Sequence, residues 1–232
     1  MVKQLRIMDK KYKVIITGVT GMVGEGVLHE CLHHPQIEKI LVVGRRPCGI
    51  IHPKVTEIVH DDFYDFTSIE DKLTDYDACY FCLGVTSIGK KEPEYFKLTY
   101  TLTLAFANVL SKQNPKMTFC YVSGAATDST EKGNSMWARV KGKTENDLMK
   151  LPFKKVFNFR PGFMKATPGL KNTQKYYKYV GWLYPLLKAV MPKFATTLAE
   201  VGQAMIEVTL NGYGKNIIEV EDILAINKTI KK

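Results

Sequence analysis

The sequence predicts an α/β chain, a doubly wound parallel sheet with helices on both faces, and three observations carry that prediction. Short apolar runs alternate with amphipathic stretches from the amino end to about residue 160. The first run, Val14-Ile15-Ile16-Thr17, leads straight into Gly18-Val19-Thr20-Gly21-Met22-Val23-Gly24, a turn with glycine at every third position. A later run, Ala78-Cys79-Tyr80-Phe81-Cys82-Leu83-Gly84, is apolar on both faces, as a strand covered by helices on two sides must be.

Taken in order, the glycine turn feeds a helix whose Val23, Val27, Leu28, Cys31 and Leu32 share one face before Pro35 stops it. Ile40-Leu41-Val42-Val43-Gly44 reads as the second strand and Val55-Thr56-Glu57-Ile58-Val59 as the third. A short helix is expected over 68–74, and the 78–84 run is the fourth strand. Residues 93–111 carry Phe96, Leu98, Leu102, Ala105, Phe106 and Val109 at helical spacing, although their threonines lower local propensity and leave burial to hold the helix. Thr118-Phe119-Cys120-Tyr121-Val122-Ser123 is the fifth strand, 135–150 the next helix and Val156-Phe157-Asn158-Phe159 the sixth strand. Beyond it, Pro161, Pro168, Pro185 and Pro192 cut the chain into short pieces, with a clearer amphipathic helix over 197–210. Residues 1–232 are therefore expected to form one domain, with 163–232 supplying a small substrate-side cap and the last elements.

Composition narrows the function classes. Apolar content of 45% and charged content of 24% exclude a disordered chain, and a net charge of +10 points to an anionic ligand, nucleic acid or an acidic membrane surface. Five cysteines without a CxxC pair exclude a disulfide framework or a zinc site, and no apolar run reaches bilayer length, so a reduced cytoplasmic setting is expected. His29 and His33 stand one helical turn apart but have no third ligand nearby in the sequence, so no metal is expected. Lys171, Lys175, Lys178 and Lys188 among tyrosines and Trp182 fit a lid over a substrate pocket better than a peripheral membrane contact. No reading helix or aromatic sheet motif accompanies them, so specific nucleic-acid binding is not expected.

The chemistry gathers at the ends of the strands, where ligands of such sheets lie. Without Cβ atoms at Gly18, Gly21 and Gly24, the backbone of Thr20, Met22 and Val23 can approach a pyrophosphate, which the helix dipole favours. Arg45 and Arg46 follow the second strand with no acid beside them, which favours the 2′-phosphate of NADP over the bare ribose of NAD. Asp62 after the third strand is placed to accept from the adenine amino group, and Leu83, Gly84 and Val85 to pass under the adenine ribose.

The glycine turn, Gly44-Arg45-Arg46, Cys82-Leu83-Gly84, Ser123, Val140-Lys141-Gly142 and Arg160-Pro161-Gly162 together resemble an atypical short-chain dehydrogenase/reductase. The order and spacing look most like the branch that includes the Tat-interacting oxidoreductase-like proteins and bacterial proteins labelled nucleoside-diphosphate-sugar epimerases. Nearly the whole chain is covered. The resemblance implies a Rossmann-type domain that binds NADP, adds Pro161 and Gly162 to the cofactor contacts, and assigns hydride chemistry on a carbonyl or alcohol. It also implies Ser123 as the catalytic serine and Lys141 as the lysine that holds the nicotinamide ribose and lowers the pKa of a tyrosine four residues earlier. That position is Trp137, whose indole donates a hydrogen bond but cannot shuttle a proton. Two readings stay open: an oxidoreductase or epimerase-like enzyme that takes its proton from Tyr95, a cap tyrosine, substrate or water, and a silent NADP-binding scaffold that regulates a protein partner or membrane contact.

Overall fold

Side chains along the first strand, β1 (Tyr12–Thr17), divide between two faces: Val14 and Ile16 enter one core and Ile15 the other. The same division recurs across the sheet in the computed structural model, which describes residues 10–172, 184, 190 and 194–230. After β1 come α1 (Met22–His33), β2 (Ile37–Gly44), β3 (Val55–Val59), a single 3₁₀ turn (Glu70–Leu73) and β4 (Ala78–Phe81). Helix α2 (Glu92–Phe96) continues through a π-helical turn (Lys97–Thr101) into α3 (Leu102–Gln113). Then follow β5 (Thr118–Val122), α4 (Met136–Leu148), β6 (Lys155–Arg160), β7 (Phe163–Lys165), β8 (Ala195–Thr197), α5 (Leu198–Asn211), β9 (Ile217–Glu219) and α6 (Val220–Ile230).

Seven of these strands form one parallel sheet in the order β3-β2-β1-β4-β5-β6-β9. The chain builds outward from β1 to β3, returns to β4 on the other side of β1, and builds outward again. The turns after β1 and β4 therefore flank the switch point, where a crevice opens at the carboxyl ends. One face is covered by α1, α5 and α6 through Val27, Leu28, Val201, Met205, Ile223 and Ile226. The other is covered by α3 and α4 through Phe106, Ala107, Leu110 and Leu148, joined by Phe63, Phe66 and Leu73 from the β3–β4 connection.

The predicted doubly wound sheet is thus observed, with three differences. The helix over 93–111 is interrupted by the π turn, where the backbone accommodates the crowded Thr99-Tyr100-Thr101 stretch and the Thr103 hydroxyl donates to the Thr99 carbonyl at 2.5 Å. Second, residues 195–230 do not stand apart as a cap: α5 and α6 complete one helical layer and β9 adds the seventh strand. Only β7 and β8 pair outside the main sheet. Third, β9 is three residues long and gives no apolar run that pattern alone would select. Most of the aromatic, lysine-rich segment before residue 194 lies outside the described residues.

Glycines set the closest packing. A Cβ on Gly26 would lie 2.9 Å from the Leu198 Cβ, and one on Gly202 would lie 2.8 Å from the Glu30 Cγ, so α1 and α5 touch nearly backbone to backbone. At Gly142 in α4 a Cβ would lie 1.8 Å from the carbonyl oxygen of Asp128, with no flexible group to give way. Gly142→Ala is therefore expected to destabilise by about 3 kcal/mol, the upper part of the overpacking range, read as a lower urea midpoint with an unchanged slope.

Candidate functional site

The glycine turn is held by its own backbone. Gly18 has φ +74°, and a Cβ there would meet the Cys82 carbonyl group at 2.7 Å. A Cβ on Gly24 would lie 2.2 Å from the Gly18 oxygen, so the first turn of α1 packs directly onto the strand exit. The Gly21 N–H donates to the Gly18 carbonyl at 2.9 Å, and Gly21 caps α1 without a side chain. Unlike α5, whose start is closed by the Thr197 and Glu200 side chains, α1 keeps its first amides uncapped by any side chain.

Those amides open onto a cavity of about 500 Å³. Gly21, Met22 and Val23 form one wall, and Leu83, Gly84 and Val85, leaving β4, form a second. Ser123 and Lys141 form a third, beside Pro161. The sheet topology thus brings together residues that the sequence separates by more than a hundred positions. Arg45, Arg46, Gly18 and Thr20 line a smaller recess of about 30 Å³, which shares Leu83 with the main cavity. Two predicted residues take other places. Asp62 sits in an exposed turn, accepting from the Tyr64 N–H at 2.8 Å, and lines neither cavity. Gly162 is needed by packing, since a Cβ there would lie 2.3 Å from the Phe194 oxygen.

Behind Ser123 lies a buried polar chain that sequence pattern does not disclose. The Ser123 Oγ is 2.5 Å from the Glu145 Oε1 and 3.0 Å from the Phe159 carbonyl oxygen. With one proton to donate, the hydroxyl is best satisfied by the charged, closer acceptor. Glu145 is fully buried, and Arg160 forks onto it through Nε at 3.0 Å and Nη2 at 2.5 Å. Arg160 also reaches Glu219 on β9 at 3.1 Å and the Ser129 hydroxyl at 2.5 Å. The one available signal for Glu145 was its place one helical turn after Lys141, on the stripe that also carries Trp137.

Lys141 donates to the Ser123 carbonyl and is half-buried in the cavity wall. Burial pushes its ammonium from the ordinary 10.5 down to about 8, while Glu145 pulls the other way. Trp137 comes close to Gly124 at the rim: a Cβ on that glycine would lie 4.0 Å from the indole ring. Tyr95 is 1% exposed and has its phenol pushed up by burial. Four of the five cysteines neighbour one another around β4, and Cys82, in the cavity wall, has its thiol pushed up to about 12 by burial.

The uncapped amides, the glycines that no side chain could replace and the paired arginines fit a dinucleotide with a diphosphate at its centre. Comparison with known proteins agrees. The family described as NAD dependent epimerase/dehydratase matches residues 14–136. The Aspergillus oryzae protein fmp52-1, mitochondrial, is 29% identical over 157 residues, 64% of this chain and 64% of that protein. FMP52, mitochondrial, of Saccharomyces cerevisiae is 25% identical over 232 residues, 94% of this chain and 97% of that protein. With the Aspergillus protein the match spans just under two thirds of the relative's length. Among solved structures, the UDP-N-acetylglucosamine 4-epimerase of Methanobrevibacter ruminantium superposes with TM-score 0.65 at 14% identity, covering 96% of this chain and 83% of that one. The Bordetella bronchiseptica enzyme WbmG, in complex with NAD and UDP, gives 0.65 at 13% identity, covering 97% and 80%. Likeness at these identities shows a shared Rossmann fold. The cytoplasmic setting expected from the sequence is corrected, because these curated relatives are named mitochondrial. Reduced thiols and short apolar runs report on redox state and membrane crossing, which do not specify a compartment.

Because the folded protein releases the Lys141 proton before the unfolded chain does, the cost of burying that charge is present below pH about 8 and disappears by about 10.5. Competitive labelling with acetic anhydride should give Lys141 a midpoint near 8, well below that of the exposed lysines.

Proposed function

The chain belongs to the NAD dependent epimerase/dehydratase family, and from that premise we propose that it is an NADP-dependent oxidoreductase or epimerase-like enzyme acting on an alcohol or carbonyl of a small molecule or nucleotide sugar. The observation that carries this reading is the cavity in which the glycine turn, Ser123 and Lys141 meet. Nucleotide sugars enter because fold neighbours are described with UDP or a UDP-linked sugar bound.

NADP supplies the hydride acceptor, or its reduced form the donor. Around it, the amides of Gly21, Met22 and Val23 hold the diphosphate, Arg45 and Arg46 attract the 2′-phosphate, and Lys141 holds the nicotinamide ribose. Gly18, Thr20 and Gly24 shape the turn, Leu83, Gly84 and Val85 support the adenosine, and Pro161 closes the nicotinamide side. Ser123 binds the substrate oxygen. With its proton committed to Glu145, its oxygen is left to accept, which matches a substrate hydroxyl better than a carbonyl. Lys141, whose ammonium burial lowers to about 8 beside Ser123, takes over the proton movement that the indole of Trp137 cannot perform.

Trp137 also favours a second reading, a silent NADP-binding scaffold that senses cofactor for a protein partner. Titration with NADPH and NADH tests the cofactor choice. Arg45→Ala should weaken NADPH by about tenfold, as expected for one charge-assisted contact, and leave NADH nearly unchanged; equal losses would remove the basis for preferring NADP. Turnover of a panel of alcohols, ketones and nucleotide sugars separates enzyme from scaffold. In that assay Trp137→Tyr should raise reductase activity if the absent phenol limits the rate, and an inert wild type with an inert variant would favour the scaffold.

A further inference from the structure

The cavity of about 500 Å³ is walled by more residues than the cofactor contacts account for. Thr86 and Ile88, from the loop after β4, and Met164, from β7, also line it. A turn fixes Ile88: its N–H donates to the Thr86 hydroxyl at 3.2 Å, the Lys90 N–H donates to the Ser87 carbonyl at 3.1 Å, and Gly89 takes φ +76°. Ile88 is 85% exposed there. Met164 is partly buried against the core that α1, α5 and α6 cover. Phe194, whose backbone abuts Gly162 next to Pro161, is 49% exposed. Single exposed apolar side chains are ordinary, but this isoleucine continues a wall in which Leu83, Val85, Val122 and Met164 are also apolar.

We infer that the substrate of this site is an uncharged, mainly hydrocarbon alcohol or its carbonyl counterpart, and that Ile88 is a specificity residue that packs on the hydrocarbon. This rests on the dinucleotide reading above and names the substrate class for it. Charge decides against a nucleotide sugar. Its diphosphate is doubly negative, and burying such a group without cations is costly. Among the described residues that line the cavity, Lys141 alone is charged, and its ammonium already donates to the Ser123 carbonyl. Lys90 and Lys165, which neighbour the wall in sequence, have partners of their own: Lys90 pairs with Glu94 at 2.8 Å, and Lys165 lies over the Tyr184 ring at 5.3 Å. Lys91 sits at the start of α2 and does not line the cavity. Arg45 and Arg46 belong to the recess beside Gly18, at the other end of the cofactor site. A hydrocarbon gains from the same wall, because covering Ile88 removes from water an apolar side chain that folding leaves exposed. The single hydroxyl of such a substrate is met by Ser123, whose own proton is held by Glu145. Oxidation moves a hydride from the carbinol carbon to NADP and releases the hydroxyl proton, leaving a carbonyl and NADPH, and reduction is the reverse.

The test is calorimetric titration of NADPH-loaded protein with 2-butanol, 2-hexanol, 2-octanol and UDP-glucose, ligands that NADPH cannot reduce. Wild-type affinity should rise about fourfold per added methylene, the value for moving one methylene out of water, and UDP-glucose should bind more weakly than 2-octanol. Ile88→Ser, a surface change that leaves folding intact, should flatten that rise, weakening 2-octanol about fivefold while 2-butanol and NADPH stay within about twofold. Ile88→Leu should keep most of the rise. UDP-glucose bound more tightly than 2-octanol, affinity that ignores chain length, or no alcohol bound at all would overturn the substrate class, while NADPH binding upheld the cofactor reading. A rise with chain length that survives Ile88→Ser would overturn the role of Ile88. Wild-type protein that takes up no NADPH refutes the cofactor reading and this inference with it.

Discussion

The contact between Gly24 and the carbonyl of Gly18 is the constraint on which the rest depends. Closing that gap lets α1 begin directly at the end of β1, so its uncapped amides fall at the mouth of the crevice and its apolar side reaches the sheet. Gly18 makes the matching approach to Cys82, which brings the β4 exit alongside the turn. Any side chain at either position would push helix and strand apart and fill the space that a diphosphate needs. A few ångströms of missing Cβ thus decide both how the first βαβ unit packs and what it can bind.

At the other side of the cavity the organising interaction is electrostatic. Glu145 and Arg160 form a buried ion pair on α4 and β6, and Arg160 carries the connection to Glu219 on β9. Such a pair gains little net stability, because both ions lose their hydration, yet breaking it would strand a buried charge. Its consequence is positional: Ser123 is oriented by a carboxylate that no solvent reaches, and the edge strand is tied to the site. The helix carrying Glu145 also carries Trp137 and Lys141 at successive turns, so one α-helical stripe supplies the rim, the amine and the buried acid of the site.

The two ends of the trough differ in character. Near Ser123, Glu145 and Arg160 form a buried pair, and the half-buried Lys141 donates to the Ser123 carbonyl. Around Arg45 and Arg46 the cations are exposed, with the buried Glu25 carboxylate in the adjoining wall. Glu25 ties residues 171 and 172 to the first helix, and Asn172 ties them to the glycine turn.

The sequence by itself determined the parts that local pattern encodes. Alternation in β1 specified two buried faces, the glycine spacing marked the strand-to-helix turn, Arg45 was read from its place after the second strand, and Ser123 and Lys141 were read from the family resemblance. Tertiary structure alone decided the pairings between distant charges. Glu25 meets Lys171 and Asn172, and Glu145 meets both Ser123 and Arg160, only because the crossover order of the sheet brings those segments together. Residues 163–232 read in sequence as a cap together with the last elements, and within them 195–230 complete the sheet and one helical layer. The physical reason is the same throughout: periodicity and turn chemistry act over a few residues, whereas the partner of a buried charge or a short edge strand is chosen by which segments the finished core leaves next to it.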